Sequence, residues 1–509
     1  MSKATKVQTG LCALIISATP AMADVTPQEV WNELQALYAG YGFAATASQT
    51  VAGNDLILSD IVMEPISIGD KNTKDEPIRI EPDYDLTLRD MGDGTVQIVM
   101  PEDFTIDMAE QLGGDGPAGT VKFWHQGLDI RVAGDVGDMA MVYTANSLNY
   151  LIRGLQDNPS EPETDITVEV SDISGTTKLD RSGVQRAASE MAAVGATVAV
   201  SSMKDGQSVL DLDLRYTDLA IETDVSLGDT SQIEDITALL LTGSAINNLS
   251  FSHQGLIANY SANDGVPISG DATSEDGSVS FAFTQDGMSL SQTNGRAVNN
   301  FSGTPGITPP ITFEIGGMQF DMLAPLVKSE TPKDFKALLE LTDVNVSDSV
   351  WAMFDPTAEL PRDPVALTLD VTGQANMLID IFDMDGKFRE PEPRFGPEGE
   401  IHALTLNALK LVFAGAELTG TGDFTFDNTD TESFDGMPRP EGALDVKLTG
   451  GNGLIDSLVR IGLIEEAQVT GARLMMAIFT NQVEGEDTMT SKLVVDENGS
   501  VFANGQQIK

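Results

Sequence analysis

The three histidines are the side chains of this sequence best suited to acid–base catalysis or metal binding. They are His125, His253 and His402. His125 and His253 hold equivalent places in two similar segments, which suggests a shared metal site. Zinc and similar ions, however, need three or four ligands with supporting hydrogen bonds, and no cluster with ligand spacing surrounds either histidine. The sequence therefore predicts strand histidines beside a turn rather than metal ligands.

Nucleophilic catalysis and phosphate binding have no signature in the sequence. There is no Gly-x-Ser-x-Gly motif and no G-x-x-x-x-G-K motif. Asp383–Gly386 partly resembles a calcium-binding loop, but Ile381 stands at the first ligand position and Pro391 would stiffen the end of the loop. We interpret this segment as a turn. We therefore predict no catalytic, cofactor-binding or metal-binding residue and no cofactor.

Carboxylates dominate the charge of the chain. The 78 Asp and Glu residues face 29 Lys and Arg residues, which gives a net charge of −49. A pair of carboxylates could hydrolyse glycosidic bonds, but their abundance singles out no pair. The negative field repels nucleic acid and anionic lipid headgroups. It is typical of a soluble protein from a salty environment, with cation binding or a basic partner as the alternative.

The first 23 residues have the form of a secretory signal peptide. Lys3 and Lys6 precede the apolar run Leu11–Ile16, and Ala21–Ala23 has the small-x-small form of a cleavage site. We expect cleavage after Ala23 and a periplasmic location. The only cysteine would be removed with this segment, so the fold must rest on its hydrophobic core. After this segment the sequence contains no run of eighteen consecutive apolar residues, so no transmembrane helix is predicted.

The segment Ile401–Leu463 gives the clearest structural pattern. Apolar residues alternate with polar ones, which predicts antiparallel strands with one buried face. Gly415 should turn a hairpin, while Gly420 and Gly422 suggest a bulge, a bend or a close backbone approach. A helix is predicted over Leu454–Leu463. The predicted core of this meander is Leu411, Phe413, Phe424, Phe426, Val446 and Leu448.

Other elements follow from caps, alternation and composition. Thr26 should cap a helix over residues 25–42 through a capping box, with Pro27 in its first turn. Strands are predicted around Leu56–Leu58, Ile66 and Ile68, Leu86 and Leu88, Val96 and Ile98, and Phe104 and Ile106. Further helices are predicted in the alanine-rich stretch Ser182–Val200, after Thr331, and after Ser347 around Trp351.

Two internal similarities suggest a repeated plan. Phe123–Asp135 resembles Phe251–Asp264, and each is predicted to turn back as a hairpin at Gln-Gly. Phe283–Leu290 should form the same hairpin without a histidine. Leu367–Phe382 resembles Leu444–Val459, where a strand ending in Thr-Gly precedes a helix that opens with Leu-Ile-Asp.

These elements predict an α+β protein. We expect predominantly antiparallel β meanders forming an elongated curved sheet, with amphipathic helices packed on it. A Pro-rich segment, Gly303–Ile311, suggests a division into a β-rich region at 24–305 with a starting helix and a β-rich region at 306–509 with helices.

The C-terminal sequence resembles that of a known protein family. FDGMPRPEGALDVKLTGGNGLIDSLVRIGLI, GARLMMAIF and SKLVVDENGSVFANGQQI are similar to exported alphaproteobacterial proteins catalogued as domain of unknown function 2125. The opening ADVTPQEVWNELQALYAGYG is similar to the start of the longer members. The resemblance implies no activity, cofactor or catalytic residue.

Three functional hypotheses remain open. The first is a periplasmic, non-enzymatic protein that holds an apolar, lipid-like ligand or an envelope partner on a curved sheet. The second is a hydrolase of envelope polysaccharide with paired carboxylates. The third is a structural scaffold in an envelope assembly. A continuous apolar trough would favour the first, a cleft with one buried acid the second, and an exposed apolar patch without a pocket the third.

Overall fold

The computed structural model describes residues 24–66, 80–107, 118–156, 161–228, 244–264, 266–303, 311–378 and 399–509. The predicted signal peptide lies outside the described residues. So do Ile68 of a predicted strand and the turn at Asp383–Gly386.

The described part of the chain is dominated by strands, with four helices. The helices are α1 (Pro27–Gly40), α2 (Asp348–Phe354), α3 (Gly451–Arg460) and α4 (Glu466–Phe479). The strands of the first half are β1 (Phe43–Ala52), β2 (Asp55–Pro65), β3 (Leu86–Asp90), β4 (Val96–Val99), β5 (Asp103–Asp107), β6 (Ala118–Gln126), β7 (Asp129–Asp135), β8 (Asp138–Gln156), β9 (Glu163–Asp180), β10 (Gln185–Lys204), β11 (Gln207–Leu227), β12 (Ala245–His253), β13 (Gly255–Asp264) and β14 (Val266–Ser274). The remaining strands are β15 (Gly277–Thr284), β16 (Gly287–Asn294), β17 (Ala297–Ser302), β18 (Ile311–Ile315), β19 (Gly317–Ala324), β20 (Lys333–Val346), β21 (Val365–Met377), β22 (Gly399–Phe413), β23 (Ala416–Asp427), β24 (Arg439–Thr449), β25 (Asn481–Gln482), β26 (Thr488–Val495), β27 (Val501–Ala503) and β28 (Gln506–Gln507).

All 28 described strands belong to one sheet. The expected mostly antiparallel β architecture is confirmed. The sheet divides into two flanks because long strands pair with two shorter strands laid end to end. β11 pairs with β12 through Ala220–Ser226 and with β13 through Leu210–Thr217. β8 is shared in the same way by β7 and β6, and β20 by β19 and β18. The first flank thus contains β7, β12, β15, β16 and β19, and the second contains β6, β13, β14, β17 and β18.

A row of unpaired residues separates the two flanks. Asn146, Asp172, Val194 and Asp218 lie in four successive strands, and each is skipped in the pairing register. We call this row the bulge line. Asp172 and Asp218 have φ angles of 51° and 48°. Aspartate enters this left-handed region more readily than most residues. The pairing register is the same on both sides of the bulge line, so the interruption crosses all four strands at one level.

The predicted helix in Ser182–Val200 is wrong, because this segment forms most of β10. β10 pairs with β9 on one side and β11 on the other over nearly its whole length. Ala187 and Ala193 are buried at the sheet surface, where a larger side chain would crowd its neighbours. Helix propensity is a weak preference that pairing on both sides overrides.

Two other predictions from local pattern fail for related reasons. The helix predicted after Thr331 is β20, in which Phe335, Leu339 and Leu341 share one face. The predicted hairpins at Gln126-Gly127 and Gln254-Gly255 are not hairpins, because the chain keeps its direction there. β6 and β7 pair with the same strand, as do β12 and β13. Each Gln-Gly marks the place where the chain crosses from one flank to the other.

Several local predictions are confirmed. Thr26 caps α1, and Glu29 completes a capping box. The helix after Ser347 is α2. Phe283–Leu290 does turn back as a hairpin, since Thr284 pairs with Gly287. Strands also occupy the positions predicted around Leu56, Leu86, Val96 and Phe104.

The predicted meander over Ile401–Leu463 is confirmed as β22, β23 and β24 followed by α3. The helix begins at Gly451, three residues before the prediction. Gly415 turns the first hairpin at φ +81°. The register shift lies in β22 between Leu406 and Leu409, where the partner strand has Gly420 and Gly422.

The six predicted core residues of the meander share one face of the sheet. Their expected full burial is wrong. Leu411 is 39% exposed, and the other five are only partly buried. The cover over this part of the face is partial: Phe413 of β22 and Leu454 of α3 pack against the buried cluster of Trp351, Leu360 and Ala414, whereas Leu411 stays exposed. The boundary proposed at residue 305 falls between β17 and β18, which pair with each other; the division into two regions stays a prediction.

Candidate functional site

One face of the sheet is apolar along almost the whole chain. On β11 it carries Leu212, Leu214 and Tyr216, which pair with Tyr260, Ala258 and Leu256 of β13. In the first flank the same face carries Phe281 and Leu290, and it continues through Met322 of β19. Further along the sheet it includes Leu339, Leu369, Leu409, Val446 and Leu493. We call this surface the apolar face.

Charged side chains are segregated from the apolar face. Within the strands of the described chain, its paired positions hold Asp or Lys only at strand ends: Asp90, Lys204, Asp264 and Lys333. The opposite face carries the ion pairs. Arg186 binds Asp224 there, and Lys336 Nζ lies 2.9 Å from Asp321 Oδ2. Period-two alternation thus separates an apolar surface from a strongly acidic one.

The helix α1 covers the first part of the apolar face. Val30, Trp31 and Leu34 belong to the same buried cluster as residues of β2, β3, β4, β7 and β8. Leu58 and Leu88 of this cluster are completely buried. We call this part the covered segment. Its N-terminal helix is held by a buried ion pair, because Glu33 Oε2 accepts a hydrogen bond of 3.0 Å from Arg181 Nη1.

The apolar face beyond α1 remains open to solvent. Large side chains on it keep more than a third of their surface exposed, with values of 37% for Leu210, 45% for Leu249, 37% for Phe313, 38% for Leu369 and 39% for Leu411. We call the face from β10 to β24 the open segment. Along the bulge line, Ile173, Ala193 and Leu219 form a buried apolar cluster. The open segment is therefore an exposed apolar surface that borders on packed residues at the bulge line.

Aromatic rings extend the apolar face at the edge of the second flank. Phe123 of β6 has ring neighbours at centroid distances of 4.9 Å in Phe104 of β5 and 5.1 Å in Tyr150 of β8. Tyr84 lies 4.6 Å from Phe104. Tyr150 is 42% exposed. These rings present a large, rigid surface to a bound molecule.

The structure places the two equivalent histidines at the junction of the flanks. His125 is the second-last residue of β6 and His253 is the last residue of β12, and both lie on the apolar face. His125 Nε2 lies 3.0 Å from the carbonyl oxygen of Pro101. His253 packs against Tyr216 and Phe251, and burial lowers its pKa against weaker opposing effects of Asp276 and Gly255.

No metal cluster forms around these histidines in the described chain. No group of three or more His, Cys, Asp or Glu side chains is placed to hold an ion there. His402 hydrogen-bonds Asn376 and lies 4.0 Å from Glu400. The described histidines therefore offer single side chains rather than a ligand set.

Several carboxylates of the described chain have a lowered pKa, which is the opposite of what a general acid needs. Hydrogen bonds from Ser291, Lys336 and Gln319 outweigh desolvation and lower the pKa of Asp321. Hydrogen bonds from Arg186 and Asn247 do the same for the pKa of Asp224. Every resolved pKa shift of an Asp or Glu is downward, whereas a glycosidase acid needs a raised pKa.

The best-defined depressions lie mainly on the charged face. One, of about 600 Å³, includes Arg153, Asp165, Asp211 and Asp213 among its lining residues. These charges already pair in part, since Arg153 Nε lies 3.9 Å from Asp165 Oδ2. We favour the apolar face as the candidate site, because a shallow charged depression is ordinary protein surface and a long exposed apolar face is not.

Comparison with known proteins gives a family and no function. The model of a family described as an uncharacterized protein conserved in bacteria (DUF2125) matches residues 181–506. The chain belongs to this family. No curated protein and no solved structure matches the chain. The predicted family resemblance is confirmed for a bacterial family of unknown function.

The family match, residues 181–506, includes the whole open segment of the apolar face. The covered segment lies before residue 181 and is outside the match. No described helix of this DUF2125 member is long and apolar enough to cross a membrane. Sequence reasoning found the apolar face in β22–β24 and missed it in β12–β19. Alternation in Val279, Phe281 and Phe283, and in Met288 and Leu290, was the signal that could have revealed it.

Proposed function

We propose that this protein is a periplasmic, non-enzymatic carrier that holds the hydrocarbon chains of a lipid-like molecule on the open segment. The observation that carries the proposal is the contrast within one face. Leu58 and Leu88 are fully buried in the covered segment, whereas Leu249, Leu369 and Leu411 remain 45%, 38% and 39% exposed. Described residues thus cover this surface at the α1 end and in part near Phe413, where Trp351 and Leu360 pack, and they leave large apolar side chains exposed elsewhere.

The energetics favour an apolar occupant. Removing apolar surface from water contributes about 25 cal/mol per Å². The interiors of the strands present no carboxylate, ammonium or guanidinium group on this face, so an incoming charge would lose its hydration without gaining a partner. A hydrocarbon chain carries no charge and therefore does not incur this cost.

The charge of the chain favours a detached lipid over a membrane surface. The net charge of −49 repels anionic headgroups. A molecule already extracted from a bilayer brings no such field of its own. We therefore propose that the protein binds individual lipid-like molecules rather than docking on an anionic membrane.

Two matched substitutions test the site. Leu249→Glu places a charge on the apolar face, and Ile257→Glu places the same charge on the opposite face, where Ile257 is 51% exposed. We expect the Leu249 variant to lose binding of the neutral fluorescent probe N-phenylnaphthylamine at least tenfold, because the new carboxylate would be buried by the probe. The Ile257 variant should bind as the unmodified protein does.

The expected result requires that both variants remain folded, which circular dichroism and the unfolding midpoint will show. Extraction of detergent-free periplasmic protein with organic solvent, followed by mass spectrometry, identifies the natural ligand. A clean extract together with no probe binding would refute the carrier. Equal loss in the two variants would place the site elsewhere.

Export is tested separately from binding. The sequence has the form of a signal peptide cleaved after Ala23, so the periplasmic protein should have the intact mass of a chain that starts at Asp24. Recovery of the full-length chain in the cytoplasm would contradict the proposed location.

A scaffold is the second candidate, and one observation favours it. Near the C-terminal helices, Leu463, Leu474 and Ile478 are 56%, 64% and 49% exposed. Exposed apolar side chains of this kind can form a protein interface. A clean lipid extract combined with a stable complex lost in Leu474→Glu would favour the scaffold. No described feature favours the hydrolase.

A further inference from the structure

Besides hydroxyl pairs such as Thr177–Ser189 and Thr164–Ser202, the described apolar face carries a larger group of uncharged polar side chains. His253, Ser274, Gln292, Asn294 and Asn299 lie beside the junction of the flanks on β12, β14, β16 and β17. We call this group the neutral patch. Apolar residues continue on both sides of it, with Phe251 and Leu290 in the first flank and Leu256 and Phe301 in the second.

The pairing register brings part of the neutral patch together. His253 pairs with Gly277, and Gly277 pairs with Asn294. A Cβ atom added to Gly277 would lie 2.6 Å from His253 Nε2 and 2.9 Å from Asn294 Nδ2. Glycine thus lets the two side chains close over the strand between them. Gln292 Nε2 donates a hydrogen bond of 3.0 Å to Asn294 Oδ1.

Hydrogen-bonding capacity remains unused in the neutral patch. His253 is 6% exposed, and its Nδ1 has no hydrogen-bond partner among the described residues. The buried Oγ of Ser274 is also without one. On the second flank, Tyr260 Oη donates to Asn299 Oδ1 at 2.9 Å, which leaves the amide group of Asn299 as a donor. A buried polar atom without a partner is unfavourable, and a ligand that supplies the partner removes this penalty.

We propose that the neutral patch binds the uncharged polar group of the ligand, namely an ester, amide or hydroxyl. This inference rests on the proposed function, because the hydrocarbon of the same molecule would lie on the apolar face beside the patch. Amide and imidazole groups can donate to an ester carbonyl, and they can both donate to and accept from an amide or a hydroxyl. Beside the patch, the described strand interiors would offer a carboxylate no cation, since the lysines of this face, Lys204 and Lys333, stand at strand ends. The ligand class is therefore a neutral acyl ester or amide rather than a free fatty-acid anion.

Three compounds of equal chain length separate the two proposals. Dodecane, methyl dodecanoate and dodecanoate differ only in the polar end, and each can displace N-phenylnaphthylamine from the protein. We expect methyl dodecanoate to bind about tenfold more tightly than dodecane, because one or two net hydrogen bonds supply that factor. Dodecanoate should bind more weakly than the ester.

Substitutions within and opposite the patch test its role. Asn294→Leu and Asn299→Leu remove the amides at similar volume and should abolish the preference for the ester over dodecane. Thr293→Val removes a hydroxyl from the opposite face of the same strand and should leave the preference intact. The unfolding midpoint checks that each variant is folded.

The outcomes distinguish the two proposals. Binding of dodecane without any preference for the ester would overturn the neutral patch and leave the carrier standing. Failure of all three compounds to bind would overturn the carrier itself. A preference that survives in both asparagine variants would also overturn the patch, since the selectivity would come from elsewhere.

Discussion

At the scale of single residues, apolar side chains on the two faces of the sheet differ greatly in burial. Leu88 is completely buried beneath α1, whereas Val142 on the opposite face is 50% exposed. We expect Leu88→Ala to lower the free energy of unfolding by about 2–5 kcal/mol, because it removes packed atoms and leaves a cavity. Val142→Ala should change it by about 0.5 kcal/mol or less. Denaturant unfolding followed by fluorescence and circular dichroism measures both.

Phe424 belongs between these extremes. Its side chain lies on the apolar face opposite Gly442 and is only partly buried. The loss for Phe424→Ala should fall below the roughly 3–5 kcal/mol of a fully buried phenylalanine. A loss as large as that would mean that some part of the chain covers the open segment in solution.

Asp321 gives a residue-scale prediction about pH. Hydrogen bonds from Ser291, Lys336 and Gln319 hold its pKa below the usual range for aspartate. A depressed pKa stabilises the fold above the unfolded value of about 3.9, and this stabilisation is lost as pH falls through the folded value. Asp321→Asn should therefore be less stable than the unmodified protein at pH 7, by about 1 kcal/mol or less after solvent screening.

The pH dependence distinguishes this effect from simple loss of packing. The difference in unfolding free energy between the protein and Asp321→Asn should shrink below about pH 4, where the carboxyl becomes protonated. Measuring both proteins between neutral pH and the acid limit of folding gives the curve. A difference that stays constant over this range would contradict the charge-based explanation.

At the scale of elements, the bulge line sets the geometry of the long strands. Asp218 has φ 48° in the middle of β11. We expect Asp218→Gly to be nearly neutral, since glycine adopts this conformation freely. Asp218→Val should cost about 1–2 kcal/mol or more, because a β-branched residue is strained there. Glu222→Val, at an exposed position of the same strand, is the control and should have little effect.

The same element-scale comparison shows what sequence could predict of the fold. The capping box at Thr26 and the alternation in β22–β24 are local signals, and both were correct. The alanine-rich β10 was misread because its conformation depends on β9 and β11, which lie on either side of it. Pairing on two sides supplies hydrogen bonds that no local window contains.

The candidate site shows the same limit. Alternation reveals which residues share a face, so Leu411 and Phe424 were correctly assigned to one surface. It does not reveal whether something covers that surface. The neutral patch was beyond sequence reasoning, because His253 and Asn294 meet only through the register of β12, β15 and β16. The repeated segments Phe-Trp-His-Gln-Gly and Phe-Ser-His-Gln-Gly lie at the junction of the flanks. Their local pattern instead predicts hairpins.

At the scale of the whole molecule, the charge of −49 should make stability depend on salt. Like charges crowd the face opposite the apolar one, and added ions screen their repulsion. We expect the unfolding midpoint to rise when sodium chloride increases from low to physiological concentration. The rise should be similar in the control variant Ile257→Gln, because that substitution changes no charge. A falling midpoint would show that attractive ion pairs such as Lys336–Asp321 outweigh the repulsion.

The length of the apolar face sets the amount of hydrocarbon that the molecule can hold. Along the first flank the strands of the open segment follow one another as β10, β11, β12, β15, β16, β19, β20, β21, β22, β23 and β24. At about 4.8 Å per strand, this path measures about 50 Å along the sheet. A single acyl chain spans about half of a bilayer's hydrocarbon thickness of roughly 30 Å. The open segment therefore has room for several chains.

Ligand removal tests this capacity. A ligand that binds only the folded protein raises its stability according to concentration and affinity. Protein stripped of lipid by solvent-compatible resin should unfold at a lower temperature, and titration with a neutral monoacylglycerol should restore the midpoint. Because the face is several chain lengths long, saturation should require more than one acyl chain per protein. Leu249→Glu should show a smaller rise and Ile257→Glu a full one. Saturation at a single short chain would restrict the site to the neighbourhood of the neutral patch and contradict a ligand surface that extends from β10 to β24.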